Sequence, residues 1–116
     1  MKLICVKTAD NKIVADKAAL ASKFLERGRG LLFSKPLTEG AGLWIKPCNS
    51  VHTFFMTYSI DVIFLDKDLK IVNIMVSMAP SHVSPIVKSA HSVLELPAGT
   101  AEKTSLAVGE QLVMEA

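Results

Sequence analysis

Six residues of this chain have side chains that can bind or transform a ligand and lie in segments that are otherwise mostly apolar. They are Trp44, Cys48, His52, Phe54, Asp61 and Glu95. A thiol, an imidazole and two carboxyl groups are the groups that proteins use to hold divalent metals and to transfer protons. The two aromatic rings would supply apolar contacts to a ligand or a partner. We therefore predict these six residues as the ligand-binding set.

Predicted strands would position the polar members of this set. Side chains alternate along a strand, so a polar residue in an apolar strand lies either in the core or at a site. Three such interruptions are present: His52 in residues 50–56, Asp61 in residues 60–65 and Glu95 in residues 91–96. If they converge, they are the best candidates for a site.

A divalent metal is one alternative, with Cys48, His52, Asp61 and Glu95 as its ligands. Cys48 and His52 are four residues apart, which in a continuous strand separates their Cα atoms by about 13 Å. They could share an ion only if the chain bends at Pro47-Cys48-Asn49. The competing interpretation is that His52 is hydrogen-bonded in or beside the core and that Asp61 accepts N–H bonds from loops.

Catalysis is a second alternative, with Cys48 as a nucleophile and His52 or His91 as its base. An oxyanion site is missing from the pattern, because no helix is predicted to begin at Cys48 and Pro47 has no N–H group. Glycoside hydrolysis by Asp61 and Glu95 depends on a separation that the sequence does not give. The sequence favours a non-enzymatic binding module without a cofactor, and a metal-dependent or Cys/His enzyme is the alternative.

Composition predicts one domain over residues 1–116, since half of the residues are hydrophobic and the chain can bury a core. The first apolar run, residues 3–6, is too short for an export signal or a membrane span, so we expect a cytoplasmic protein. Residues 1–50 carry nine basic and four acidic side chains, and residues 51–116 carry four and seven. We do not expect nucleic-acid binding, because Phe24 and Phe33 are better explained as core than as stacking platforms.

The apolar periodicity predicts an α+β fold: a strongly bent, mostly antiparallel sheet or a small partly open β-barrel, with one packed helix and one short helix. The predicted strands are 3–8, 13–15, 43–45, 50–56, 60–65, 70–78, 91–96 and 110–114, and the predicted helices are 17–27 and 98–104. The turn at 47–50 and the loop at 79–89 would form the rim of the site. A small ligand or a protein partner would bind there.

Several motifs resemble a known family in their order along the chain. They are Gly42-Leu43-Trp44-Ile45, Pro47-Cys48, Val51-His52-Thr53-Phe54-Phe55-Met56, Ile60-Asp61-Val62-Ile63-Phe64-Leu65-Asp66 and Val93-Leu94-Glu95-Leu96-Pro97-Ala98-Gly99-Thr100-Ala101. This chain resembles the domain-of-unknown-function family 192 from about residue 19 to residue 113. The resemblance implies a strand-rich α+β domain and no established activity. Many proteins that resemble this family carry export signals.

Two residues depart from the family pattern. Leu32 stands where methionine is common, which is a mild core exchange. Leu69 stands where a hairpin glycine is common, which favours a longer loop over a tight turn at residues 66–69.

Overall fold

A curled sheet of seven strands makes up most of the computed structural model, which describes residues 2–21, 36–54 and 56–116. The strands are β1 Lys2–Thr8, β2 Ile13–Ala21, β3 Ala41–Ile45, β4 Ile60–Leu65, β5 Ile71–Met78, β6 Ser92–Pro97 and β7 Leu112–Glu115, and the helix α1 spans Thr100–Lys103. Their order in the sheet is β5-β4-β6-β3-β2-β1-β7. All neighbours are antiparallel except β2 and β3, which run parallel.

The sheet curls until its two outer strands meet at one corner. Lys70 and Gln111 form an isolated antiparallel bridge there. Beside it the Ile71 N–H donates to the carbonyl oxygen of Glu110 at 2.9 Å. The remainder of this seam lacks ladder pairing among the described residues. The predicted partly open barrel within a mostly-β α+β fold is confirmed.

Both faces of the sheet are buried, which gives two apolar layers. The inner layer lies on the concave side and includes Ile4, Val6, Trp44, Ile63, Leu65, Leu94 and Leu96. The outer layer lies on the opposite side and includes Leu43, Ile45, Val51, Met56, Val62, Phe64 and Val93. Its cover comes largely from loop residues, among them Val87 and Ala90. The central strands β4 and β6 therefore read as continuous apolar runs, as expected for strands covered on both sides.

The predicted helix over residues 17–27 is wrong in the part that the structure describes. Residues 17–21 belong to β2, where Lys17 is opposite Ala41 and Ala21 is opposite Ile45. The spacing that indicated a helix depended on Phe24 and Leu25, which lie outside the described residues. Pairing with strands on both sides outweighs a local helical preference.

The predicted strand over residues 50–56 is also wrong. Among the described residues of this segment only His52 forms a bridge, opposite Val83, and its neighbours follow a loop over the outer layer. Val51 and Met56 are buried in that layer, whereas Phe54 is 42% exposed. A loop, rather than a strand of the sheet, places these apolar side chains.

The hairpin between β4 and β5 closes through a tight turn over residues 66–69, where the sequence predicted a longer loop. The Asp66 N–H donates to the Lys70 carbonyl at 2.9 Å, and the Leu69 N–H donates to the Asp66 carbonyl at 3.1 Å. Leu69 has a φ of 67°, a conformation in which glycine is common. Its side chain packs on the inner layer, which explains why leucine occupies this position.

The short helix and the last strand are confirmed with shorter bounds than predicted. In the described part of the chain, no helix is long and apolar enough to cross a membrane. Leu32 lies outside the described residues, and so do Phe24 and Phe33, which were considered for nucleic-acid binding.

Candidate functional site

Asp61 is buried and its carboxyl group is hydrogen-bonded to the backbone. Its side chain is fully buried on the inner face of β4, opposite Leu96. One carboxylate oxygen accepts the Ser77 N–H at 2.8 Å, and the other accepts the N–H groups of Gly99 at 3.1 Å and Ala101 at 2.9 Å. These bonds join the end of β5 to the start of α1. Asp61 thus accepts backbone N–H bonds, as one interpretation of the sequence predicted, but they come from β5, the N-cap Gly99 and α1 rather than from loops alone.

Glu95 is also buried, but on the other face of the sheet and between apolar neighbours. Its side chain is 3% exposed and lies on the outer face of β6, between Leu43 on β3 and Val62 on β4. Its carboxyl group has no hydrogen-bond donor and no cation among the described residues. Burial raises the pKa of Glu95 to about 8, because desolvation disfavours the charged form. Glu95 is therefore mostly protonated at neutral pH.

The predicted site residues do not converge on one point. Asp61 and Trp44 face the inner layer, whereas Glu95 faces the outer layer. The two carboxyl groups lie on opposite faces of the sheet, so they do not form a paired acid and base. In residues 2–21, 36–54 and 56–116, no group of three or more His, Cys, Asp and Glu side chains could hold a metal ion. The binding role of the six residues remains a prediction.

Cys48 and His91 line a shallow depression of about 320 Å³, together with Pro47, Asn49 and Ala90. The backbone N–H of Cys48 donates to the His91 carbonyl at 3.0 Å, and its thiol donates to the Ser50 carbonyl at 3.1 Å. Both cysteines of the chain carry thiols rather than a disulfide. Backbone pairing therefore accounts for the proximity of Cys48 and His91.

Trp44 belongs to the inner layer. Its ring is buried, and the Lys46 ammonium lies 4.5 Å from the ring centroid. This cation–π contact covers the end of the inner layer. The indole N–H of Trp44 and the hydroxyl of Ser92 are buried without a partner in the described structure.

Two loop segments, residues 49–54 and 79–87, join above the outer layer and form what we call the loop platform. The Thr53 N–H donates to the His82 carbonyl at 2.8 Å, the Ser84 N–H to the Val51 carbonyl at 2.8 Å, and the Val87 N–H to the Asn49 carbonyl at 2.9 Å. The hydroxyl of Ser84 also accepts the Val51 N–H at 2.9 Å. These bonds fix the two segments against each other.

The loop platform exposes apolar side chains to solvent. Phe54 is 42% exposed, Val83 is 60% exposed and Ile86 is 68% exposed. The His52 ring lies 5.3 Å from the Phe54 ring, and His52 is opposite Val83. The sequence predicted His52 and Phe54 but missed Val83 and Ile86. Both residues lie in the proline-containing loop that was predicted to form part of the rim, and this position is the signal that could have indicated them.

We expect Thr53→Val to lower the free energy of unfolding by roughly 2 kcal/mol, because two partly buried backbone groups lose the hydroxyl of Thr53 as a partner. The Thr53 hydroxyl donates to the Ala79 carbonyl at 2.6 Å and accepts the His82 N–H at 2.9 Å. Urea denaturation measures the change, and amide exchange at His82 should become faster. Thr53→Ser keeps the hydroxyl and is the matched control. Equal stability of the two variants would show that these bonds do not hold the loop platform.

The family comparison rests on nearly the whole length of the chain. The model of the DUF192 family, described as "Uncharacterized ACR", matches residues 5–114. The chain belongs to this family. The resemblance drawn from the sequence motifs is thus confirmed, and the DUF192 description names no activity.

Archaeal relatives agree with this assignment to DUF192, and a solved structure shares the fold. A UPF0127 protein of Pyrococcus horikoshii is 33% identical over 98 residues, which cover 80% of this chain and 83% of the relative. A UPF0127 protein of Pyrococcus furiosus is 31% identical over 106 residues, which cover 87% and 89%. A crystal structure of a protein of unknown function from Novosphingobium aromaticivorans matches with a TM-score of 0.81 at 20% identity, covering 96% of this chain and 83% of that chain. That likeness shows the fold alone.

Proposed function

We propose that this DUF192 chain is a non-enzymatic binding module that holds a segment of a partner protein on the loop platform. The observation that carries this proposal is the exposure of Phe54, Val83 and Ile86 on a hydrogen-bonded frame. Exposed apolar side chains on one surface mark interaction sites in soluble proteins. As part of the same proposal, we place the module in the cytoplasm, where thiols stay reduced.

The frame lowers the entropic cost of binding. Backbone bonds between the two segments, together with the buried Thr53 and Ser84, hold the apolar side chains in place before a partner arrives. A surface that is ordered in advance loses less conformational freedom on association. This support favours a protein segment over a small ligand, because the exposed side chains lie on a surface and not in an enclosed cavity.

The charged residues around the loop platform indicate which kind of partner segment would bind there. Residues 46–59 and 76–94 contain two lysines and three histidines and contain no aspartate or glutamate. A partner segment that combines apolar anchors with acidic residues would therefore complement the loop platform.

A displayed library of random peptides, selected on the purified protein, tests the proposal. We expect the enriched peptides to combine apolar residues with Asp or Glu. The double variant Phe54→Ser/Ile86→Ser should weaken their binding at least tenfold, which is about 1.4 kcal/mol. Isothermal titration at two salt concentrations measures both the affinity and its electrostatic part.

The matched control is Ile13→Ser/Val108→Ser, which removes two exposed apolar side chains away from the loop platform. It should leave the peptide affinity unchanged. Peptides that bind both double variants equally well, or peptides without acidic residues whose affinity ignores salt, would overturn the proposal.

A further inference from the structure

The loop platform has two distinct ends, because antiparallel backbone bonds join its two segments one after another. The bonded pairs are Thr53 with His82, Val51 with Ser84 and Asn49 with Val87. Residue numbers fall along one segment as they rise along the other. This bonded frame therefore ends at Thr53 and His82 on one side and at Asn49 and Val87 on the other.

The depression of about 320 Å³ lies at the Asn49 end of the frame. Asn49 itself lines it, and the other lining residues are 47–48 and 90–91, which come just before one platform segment and just after the other. The Cys48 N–H donates to the His91 carbonyl at 3.0 Å, so the bonded series continues into the wall of the depression. A partner segment that lies along the loop platform therefore reaches the depression at one of its ends.

His91 and Asn49 supply side-chain hydrogen-bond donors to the depression, and both residues are exposed. The backbone of His91 is already occupied, because its N–H donates to the Leu65 carbonyl at 2.7 Å and its carbonyl accepts the Cys48 N–H. The imidazole is therefore the part of His91 that can contact a ligand. An imidazole and a side-chain amide both donate N–H bonds, and a carboxylate accepts several such bonds at once.

The charges in this part of the chain also favour an acidic ligand group. None of the described residues that line the depression is acidic. Lys46 and Lys88 lie just before the two lining segments in the sequence, and residues 46–59 and 76–94 contain no aspartate or glutamate. A carboxylate that enters the depression therefore meets hydrogen-bond donors and positive charge without a like charge from either segment.

We propose that the depression holds an aspartate or glutamate side chain of the partner segment and that Asn49 and His91 select it. This inference rests on the proposed function and adds where the acidic residue of the partner lies. Asn49 and Thr53 are four residues apart, so the bonded frame is at most about 13 Å long, a length that about four extended residues cover. The partner segment therefore has a run of about four residues that carries its apolar anchors, with the acidic residue at one end.

Fluorescence anisotropy with the peptide most strongly enriched in the displayed library tests this assignment. The peptide is synthesised with a label at its N-terminus and an amide at its C-terminus, so that side chains provide its only carboxylates. We expect an Asp or Glu at one end of its apolar run. Exchange of that residue for Asn or Gln should weaken binding at least tenfold, whereas the same exchange at any other acidic position should change the affinity less than twofold.

The double variant Asn49→Ala/His91→Ala should reduce the preference for the acidic peptide over its amide counterpart to less than threefold. It should leave the affinity for the amide counterpart unchanged, because the apolar anchors keep their contacts. His82→Ala is the matched control, since it removes an exposed histidine at the opposite end of the bonded frame. This control should keep the full preference for the acidic peptide.

The unaltered protein provides a second measurement that does not depend on the folding of a variant. In NMR spectra the acidic peptide should shift the imidazole signals of His91 more than the amide counterpart does, whereas the His82 signals should respond equally to both. Equal responses of His91 to the two peptides would overturn the inference. So would a preference that survives Asn49→Ala/His91→Ala or one that disappears in His82→Ala.

Failure of this inference and failure of the proposed function are distinguishable. If the amide exchanges have no effect but Phe54→Ser/Ile86→Ser still weakens binding, the depression does not select the acidic residue and the loop platform remains the binding surface. A selection that enriches no peptide would overturn the proposed function, and this inference with it.

Discussion

Replacing Asp61 with alanine is expected to lower the free energy of unfolding by roughly 4 kcal/mol, among the largest effects of a single substitution in this chain. The carboxylate accepts N–H bonds from Ser77, Gly99 and Ala101, and the side chain is fully buried. Removing it leaves three backbone donors without this partner, and the N–H of Ala101 is fully buried. Bonds to a charged acceptor are stronger than bonds between neutral groups, which adds to the loss. Urea denaturation at pH 7 measures it.

Asp61→Asn separates hydrogen bonding from volume. The amide keeps one oxygen and presents an NH₂ group where the other oxygen was, so roughly half of the loss should remain. Amide exchange at Ala101 should be faster in both variants, because α1 loses its attachment to β4. The exposed Asp68 provides the reference, and its replacement by alanine should have a much smaller effect. A loss in Asp61→Ala no greater than this reference would show that Asp61 does not anchor the helix.

Glu95→Gln is expected to stabilise the protein, by an amount that grows with pH. In the folded chain the pKa of Glu95 is raised from 4.5 to about 8, so between these values the folded state holds a proton that the unfolded state has lost. Stability contributed by this group therefore falls as pH rises above 4.5 and levels off above 8. At about 1.4 kcal/mol for each pH unit, the penalty at pH 7 is roughly 3 kcal/mol.

The slope with pH is the decisive quantity, since a buried amide has its own desolvation cost. Denaturation of Glu95→Gln and of the unaltered protein at pH 5, 6, 7 and 8 should give a difference that widens steadily. Glu102→Gln should track the unaltered protein throughout. If the difference in unfolding free energy were constant across this range, Glu95 would titrate near its ordinary pKa and its carboxyl group would be accessible to water in solution.

The sequence predicts the central strands well because their pattern follows from burial on both faces. Residues 60–65 are all buried, and the run has no polar residue other than Asp61. The same pattern cannot tell Asp61 from Glu95. Each is a single carboxylate in an apolar strand, and only the register between β4 and β6 places them on opposite faces.

Secondary structure is predicted wrongly from the sequence where local preferences compete with pairing between segments that are distant in sequence. Lys17 to Ala21 contains alanines that suit a helix, yet its neighbours β1 and β3 hold it as a strand. His52 and Phe54 were predicted as site residues on a strand, and they lie on a loop whose bonds come from residues 79–87. Such pairing depends on side-chain bonds from Thr53 and Ser84, which periodicity does not encode.

The pairing of β7 with β1 has a consequence for how the chain acquires its fold. This ladder brings Cys5 opposite Glu115, and Lys7 forms an ion pair with Glu115 at 2.8 Å. Contacts between residues so distant in sequence form slowly, because much chain entropy is lost before they are made. The β4–β5 hairpin and the β1–β2 pair need only short loops and can form first. We therefore expect the β1–β7 ladder to form late, after the local hairpins.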